Sequence, residues 1–198
     1  MAKECKHSAL YESLEFCQGE PVLPGIRKKV YFIPASQIVK FPVLPKLGDE
    51  GVDMGKLATY QGDFMLAADA AWKCIDVLTT DSDISSDSQG EAPSKTFLNK
   101  ATLKHAGCDE EATGFCRMAN CDNLVYLVQQ RNGKFRVLGN DMFETNTKPA
   151  QASGAKETDA SGTTLAVEVS DLSPAPFYVG KIITDDGEID ASTGDIAE

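Results

Sequence analysis

Hydrophobic and polar positions alternate cleanly in two stretches of the chain. Over residues 162–170, GTTLAVEVS, Leu165, Val167 and Val169 fall on one parity and Thr164, Ala166 and Glu168 on the other, the pattern of a half-buried strand. Residues 72–78 repeat it, with Trp72, Cys74 and Asp76 on one face and Ile75 and Val77 on the other. The segment LVYLVQQ at 124–130 is apolar at both parities, and a strand of that kind is covered on both faces. Asn132-Gly133 then supplies the positive φ angles of a two-residue type I′ turn, and residues 134–139 return as the partner strand with Phe135 and Val137 on one face. Just upstream the period changes. Ala112, Phe115, Met118 and Ala119 recur at helical spacing, Asp109 stands where a cap belongs, and Glu110 and Glu111 put negative charge beside the free N–H groups of the first turn. Residues 120–123 have the turn preferences that end such a helix.

Further strands are predicted over 25–34, around Val30, Tyr31, Phe32 and Ile33, over 95–104, and over 177–183 as the last of the set. Residues 57–66 have β character around Gly62, and 67–71 form a single helical turn or a hairpin loop. Between these lie segments with little to bury. Residues 35–55, with Pro42, Pro45, Gly48, Gly51 and Gly55, predict a long projecting loop. The acidic run 79–93 reads as a solvated turn, and 140–161 as a second long loop. The sum is a mainly β protein, a β-sandwich or rolled β-barrel with one flanking α-helix at 109–120. It is organised as an N-terminal arm over 1–24, a single β-rich domain over 25–183, and an acidic, flexible tail over 184–198. The arm holds a weakly amphipathic piece at Leu10, Leu14 and Phe16.

Composition narrows the function classes. The 198 residues, 42% of them hydrophobic, suffice for one proper core. No run approaches the ~20 apolar residues of a membrane span. The N-terminus MAKECKHSALYESLEF lacks the apolar centre of a signal peptide, so synthesis in the cytoplasm without export is expected. A net charge of −11 opposes ordinary nucleic-acid binding and suits either solubility or a surface that must repel DNA. After Lys181 every ionisable side chain is acidic: Asp185, Asp186, Glu188, Asp190, Asp195 and Glu198. The six cysteines of a non-exported chain read as free, mostly buried thiols.

Chemistry is sparse. The phosphate-loop, dinucleotide, zinc-protease and nucleophile-elbow motifs are all missing from the sequence. His105, Cys108, Cys116 and Cys121 supply zinc-type ligands, but only the first two have the short spacing of a knuckle, and Cys116 falls in mid-helix. Cys5, His7 and Cys17 are sparser still. Asp81, Asp83 and Asp87 lack the glycine and glutamate of a calcium loop. A Cys108 or Cys121 nucleophile beside His105 has no evident orienting group. The expectation is a non-enzyme without metal or cofactor.

Four segments carry a resemblance: GIRKKVYFIP at 25–34, GFCRMANCDN at 114–123, NGKFRVLG at 132–139 and GTTLAVEV at 162–169. In these, and in layout over most of 22–183, the chain resembles tail-tube-like virion structural proteins of Bacteroides-type phages and prophages. The resemblance implies a subunit whose six copies close into a ring around a lumen. Rings stack through long loops and terminal arms, other tail or connector proteins join the ends, and DNA passes without specific binding. Such a protein is made in the host cytoplasm and incorporated into the virion tail, with no membrane involved. On this view Phe41, Pro42, Leu44, Pro45 and Leu47, together with Asn146, Lys148 and Pro149, are candidate inter-subunit contacts, and Asp76 and Glu168 are candidate lumen acids. Other virion parts of the same architecture are alternatives: a tail terminator, a head-completion protein or a decoration protein. From a different class comes a non-viral β-sandwich binding module, which Trp72, placed in mid-strand, does not favour.

Overall fold

Every pair of named strands is antiparallel in the computed structural model, which describes residues 10–196. The chain enters through β1 (Ile26–Pro34), then β2 (Ile38–Lys40), a short helix α1 (Met54–Leu57) and β3 (Met65–Leu66). Next come β4 (Lys73–Asp76), β5 (Asp83–Gln89), β6 (Thr96–Ala106), helix α2 (Glu110–Ala119), β7 (Leu124–Gln130) and β8 (Phe135–Leu138). After β9 (Asn146–Ala152) and β10 (Gly162–Asp171) the chain ends in four short strands, β11 (Phe177–Tyr178), β12 (Lys181–Thr184), β13 (Gly187–Asp190) and β14 (Asp195–Ile196). A five-stranded sheet has the order β11-β8-β7-β1-β4 and a four-stranded sheet the order β5-β6-β10-β9. The strands β12, β13 and β14 form a third sheet, and β2 and β3 a small ribbon. The fold is mainly β and sandwich-like, with one main helix.

The five-stranded sheet is the middle layer. From β7, Leu124, Tyr126 and Val128 join Val30, Leu138, Leu103, Leu165, Val167 and Val169 in the core between the two large sheets, with α2 closing one side. The alternate residues Val125 and Leu127 join Tyr31, Ile33, Phe135, Val137, Phe64, Trp72, Tyr178, Ile182 and Ile189 in a second core on the opposite face. A strand apolar at both parities is thus buried on both sides, and each such Leu or Val removed from water contributes about 1.5–3 kcal/mol. Phe64 anchors the second core, with edge-on contacts to Phe41 at 5.7 Å and Trp72 at 5.3 Å.

The helix forms where its spacing says it should. Asp109 caps it by accepting the Ala112 N–H at 2.8 Å. Its inward stripe is Ala112, Phe115, Cys116 and Ala119, however, and Met118 points out, 70% exposed. An i, i+3, i+4, i+7 stripe selects Cys116 over Met118.

Several expectations need correcting. The β7–β8 turn is not type I′. Asn132 lacks a positive φ, since Asp69 is the only such non-glycine among the described residues, and Gly133 alone adopts it (φ 92°). The Gly133 N–H bonds Gln130 O, and the Gln130 N–H bonds Lys134 O, which makes a three-residue loop ending in a left-handed glycine. Residues 79–93 contain β5 and residues 140–161 contain β9, so neither is simply a loop. Both are edge strands that turn few side chains inward (Ile84 and Ser86, Thr147 and Pro149), and they carry no apolar alternation to read. The 35–55 loop folds back on the body instead of projecting, with Pro42 buried and Phe41 and Leu44 against the second core. Residues 57–66 mix α1, isolated bridges at Thr59 and Gln61, and β3. The 177–183 strand is broken at Gly180 into β11 and β12. The acidic C-terminal segment is no free tail as far as residue 196, because Ile189 and Ala191 are buried and β13 pairs with β12 and β14. Residues 197 and 198 lie outside the described part, as do residues 1–9 of the arm.

Candidate functional site

Two surfaces carry the candidate residues. The first is the outer face of the four-stranded sheet. Parity puts Leu165, Val167 and Val169 of β10 inward, so Thr164, Ala166, Glu168 and Ser170 face out. The β6 partners of these residues are Lys104, Thr102, Lys100 and Leu98. Strand β5 adds Asp83, Ser85 and Asp87, and β9 adds Asn146, Lys148 and Ala150. Charges on this face are interleaved by sign. Lys100 donates to Asp87 at 3.0 Å, Lys148 to Glu168 at 2.7 Å, and Lys104 to Asp81 at 3.0 Å. The hydrogen bond from Lys148, helped by the charge of Lys100, holds the Glu168 carboxyl below the usual range. Four acids and three lysines on this surface leave a single negative charge, so the chain's −11 is carried elsewhere.

Glu168 therefore lies mid-sheet on an open polar face, but paired. Asp76 does not join it. It ends β4 in the other large sheet, where its carboxylate takes Lys28 at 2.9 Å and its carbonyl bonds His105 Nδ1 at 2.7 Å. Asn146 and Lys148 are exposed and Pro149 half-buried, all on β9 and not on a loop. Strand β9 is blunted as an edge by Lys148 and Pro149, and α2 reaches it through Thr113 Oγ1 to Gln151 Oε1 at 3.2 Å. The outer edge of β5 pairs with no strand among the described residues.

The second surface is a groove of about 1070 Å³, and the remaining candidates line it. Phe41, Pro42, Leu44, Pro45 and Leu47 line it together with Met142, Leu172, Ser173 and Pro174. Leu47 is the most open of the five, at 54% exposure, and Phe41, Pro42 and Leu44 turn toward the protein's own core. Tyr60, Asp141 and Asp171 give the groove its polar part. Asp171 is 2% exposed, with its carboxylate accepting the Leu172 N–H at 2.6 Å. Burial raises the Asp171 carboxyl above the usual range despite further support from Asn140 and the Ser173 N–H. Burial, with Asp171 and Asp141 nearby, likewise lifts the Tyr60 phenol well above its ordinary value. Sequence reasoning missed this pair. The signal was present in part, for Asp171 continues the inward parity of Leu165, Val167 and Val169.

The thiols and His105 do not converge. Cys108 Sγ lies 3.2 Å from Gly162 O and 3.3 Å from Ala152 O, Cys116 leans on the core, and Cys121 is exposed. Burial pushes the Cys116 thiol up. The expectation of mostly buried thiols is not met: Cys17, Cys74 and Cys121 are exposed and Cys108 and Cys116 half-buried. Cys5 and His7 lie outside the described residues. Among the described residues no group of three or more metal-ligating side chains gathers, and Asp81 and Asp87 pair with separate lysines. No helix among them is long and apolar enough to cross a membrane. No family model matches the chain, and no curated protein or solved structure matches it either.

Proposed function

We propose that this chain is a virion structural subunit of the tail-tube type, not an enzyme, and that six copies close into rings that stack around a DNA-conducting channel. One observation carries the reading: a four-stranded sheet whose outer face is polar and charge-balanced and whose β5 edge is open. An open sheet edge is a liability in a lone protein, and a ring that joins edges removes it. Six copies set side by side, each covering the β5 edge of the next, would make a wall of the outer faces of their four-stranded sheets. On that wall Glu168 faces the lumen, flanked by Lys148 and Lys100, and phosphates meet neither a basic surface that would hold them nor a strong repulsion. Asp76, on the other sheet, is not a wall residue in this arrangement. Val39, Val43 and Leu47, exposed on the 35–55 loop, are placed for contacts between rings.

Electron microscopy of the concentrated protein, with sedimentation alongside, tests the reading. Rings stacked into tubes with a central hole are expected. A single ring that never stacks would point to a terminator or head-completion role. A monomer that stays so in the presence of tail-tip or connector proteins would overturn the reading in favour of a binding module.

A further inference from the structure

The tetrapeptide Pro-Val-Leu-Pro stands twice in the chain, at 21–24 and at 42–45. At 42–45 it is packed: Pro42 is buried, Leu44 lies against the second core, and Val43 exchanges backbone bonds with Gln61 at 3.0 and 2.8 Å. At 21–24 all four residues are exposed, Val22 to 81%, and no helix or strand covers residues 11–25. The rest of this arm is equally bare, with Tyr11, Leu14 and Phe16 each more than half exposed. Apolar side chains gathered on a segment without secondary structure mark a surface that another molecule covers.

The groove has the matching deficit. Val39, Val43, Leu47, Met142 and Leu172 line it, and each is more than half exposed. The chain's own arm begins beside it, Leu10 and Tyr11 sharing a hollow with Leu47 and Leu57, but no residue from 12 to 24 lines either space. The charges are complementary as well. Between Tyr11 and Pro24 the arm carries Glu12, Glu15 and Glu20 and no base. The exposed charged side chains lining the groove are Lys40, Lys46 and Asp141, and neither lysine forms an ion pair among the described residues. Prolines three apart hold 21–24 extended. Each fixes its own φ and keeps the residue before it out of helical conformations, so little freedom is lost when the segment docks. Segments of this kind seat in apolar grooves through their side chains and need no free strand edge.

We propose that residues 20–24 of one copy dock in the groove of a second copy, with Val22 and Leu23 against its exposed apolar side chains and Glu20 toward Lys40 and Lys46. Arm and groove are different surfaces, so the contact is head to tail, and each copy gives one arm and takes another. The proposal names what covers Val43 and Leu47, and it stands without the tube reading, because copies joined head to tail need not close around a channel.

Two full-length variants test it by sedimentation. Paired Val22→Asp and Leu23→Asp spoil the arm and leave the groove, while paired Val43→Asp and Leu172→Asp spoil the groove and leave the arm. All four side chains are exposed, and unchanged thermal unfolding checks that each variant folds. The parent is expected to associate as its concentration rises, and each variant alone to do so about tenfold more weakly. An equimolar mixture of the two should associate more tightly than either alone, since a sound arm then meets a sound groove. Glu20→Lys should weaken the parent's association, and adding Lys40→Glu and Lys46→Glu to it should restore it. A parent that stays monomeric at every concentration, variants that associate as the parent does, or a mixture no tighter than its components would each overturn the proposal. Microscopy reads ring formation separately: rings without a gain in the mixture would end this proposal alone, and a gain without rings would count against the tube reading alone.

Discussion

Asn99 offers a sharp test of how the sandwich holds its groove wall. It is fully buried on β6, facing inward beside Ala101. Its Nδ2 donates to Ser173 O at 3.1 Å and its Oδ1 accepts the Ala175 N–H at 2.8 Å. One side chain thus clamps the 173–175 segment, which also lines the groove through Ser173 and Pro174. Asn99→Ala removes both bonds. The Ala175 N–H retains a longer bond to Ser86 Oγ at 3.2 Å, but Ser173 O loses its Asn99 donor. A buried carbonyl without a partner costs about 1–3 kcal/mol and the second lost bond about 1 kcal/mol, so the variant should lose about 2–4 kcal/mol. Ser86→Ala alone should cost under about 1 kcal/mol, because the better bond to Asn99 survives. In the double variant the Ala175 N–H has neither acceptor, and the total should exceed the sum of the single effects by about 1 kcal/mol. Urea unfolding measures this as a fall in midpoint at constant slope. A loss below about 1 kcal/mol for Asn99→Ala, with additivity within about 0.5 kcal/mol in the double variant, would refute the clamp.

Three further outcomes follow from the same geometry. Asp171, raised by burial, binds its proton more tightly folded than unfolded, so its contribution to stability falls as pH rises through its folded pKa. Asp171→Asn should therefore gain on the parent at neutral pH, and the gain should vanish below the ordinary carboxylate range; a gain that grows on acidification contradicts this. Glu168 has the opposite sign: its depressed carboxyl adds stability above the usual glutamate pKa that is lost as pH falls through the folded value. Lys148→Gln should remove most of that dependence, leaving the part due to Lys100, yet cost under about 1 kcal/mol, since the pair is exposed; pH-dependent unfolding of both proteins decides it. Gly180→Ala should destabilise by about 1–3 kcal/mol in thermal unfolding, because the added methyl meets Asp63 Oδ1 and the Tyr178 hydroxyl, and unchanged stability would show that both give way.

What was legible in the sequence followed burial. The strand at 124–130 declared its two covered faces, the strand at 162–170 its one, and the helix its cap, because in each the apolar positions report the neighbours directly. Edge strands were not legible. β5, DISSDSQ, and β9, NTKPAQA, are held by backbone bonds to β6 and β10, and backbone bonds leave no trace in side-chain pattern. The turn at 131–133 misled for a related reason. Asn-Gly favours a two-residue turn, but the Gln129–Phe135 register needs one residue more, and Asn132 instead spends its Oδ1 on the Lys134 N–H at 3.1 Å. The candidate contacts at 41–47 rest on breakers and apolar character, which mark an exposed interface and a loop folded onto its own core equally well. Only Phe64 and Tyr60, far from the loop in pattern though near in sequence, show which applies.

The layering decides which surface is free to act. The middle sheet has spent both faces on the two cores, and the inner face of the four-stranded sheet is spent on the first of them. Of the large sheets, that leaves one broad face, the one bearing Asp87, Lys100, Glu168 and Lys148. Had that face been acidic, its charges would repel one another as copies were brought together around a ring, and a basic one would bind phosphate. Pairing Asp87 and Glu168 each with a lysine on a neighbouring strand avoids both. The pairs also cross from strand to strand, so they hold the register of a sheet whose edge strands have few apolar side chains to do so. The same ion pairs thus answer a need of the fold and, on the proposed tube reading, a need of a channel wall.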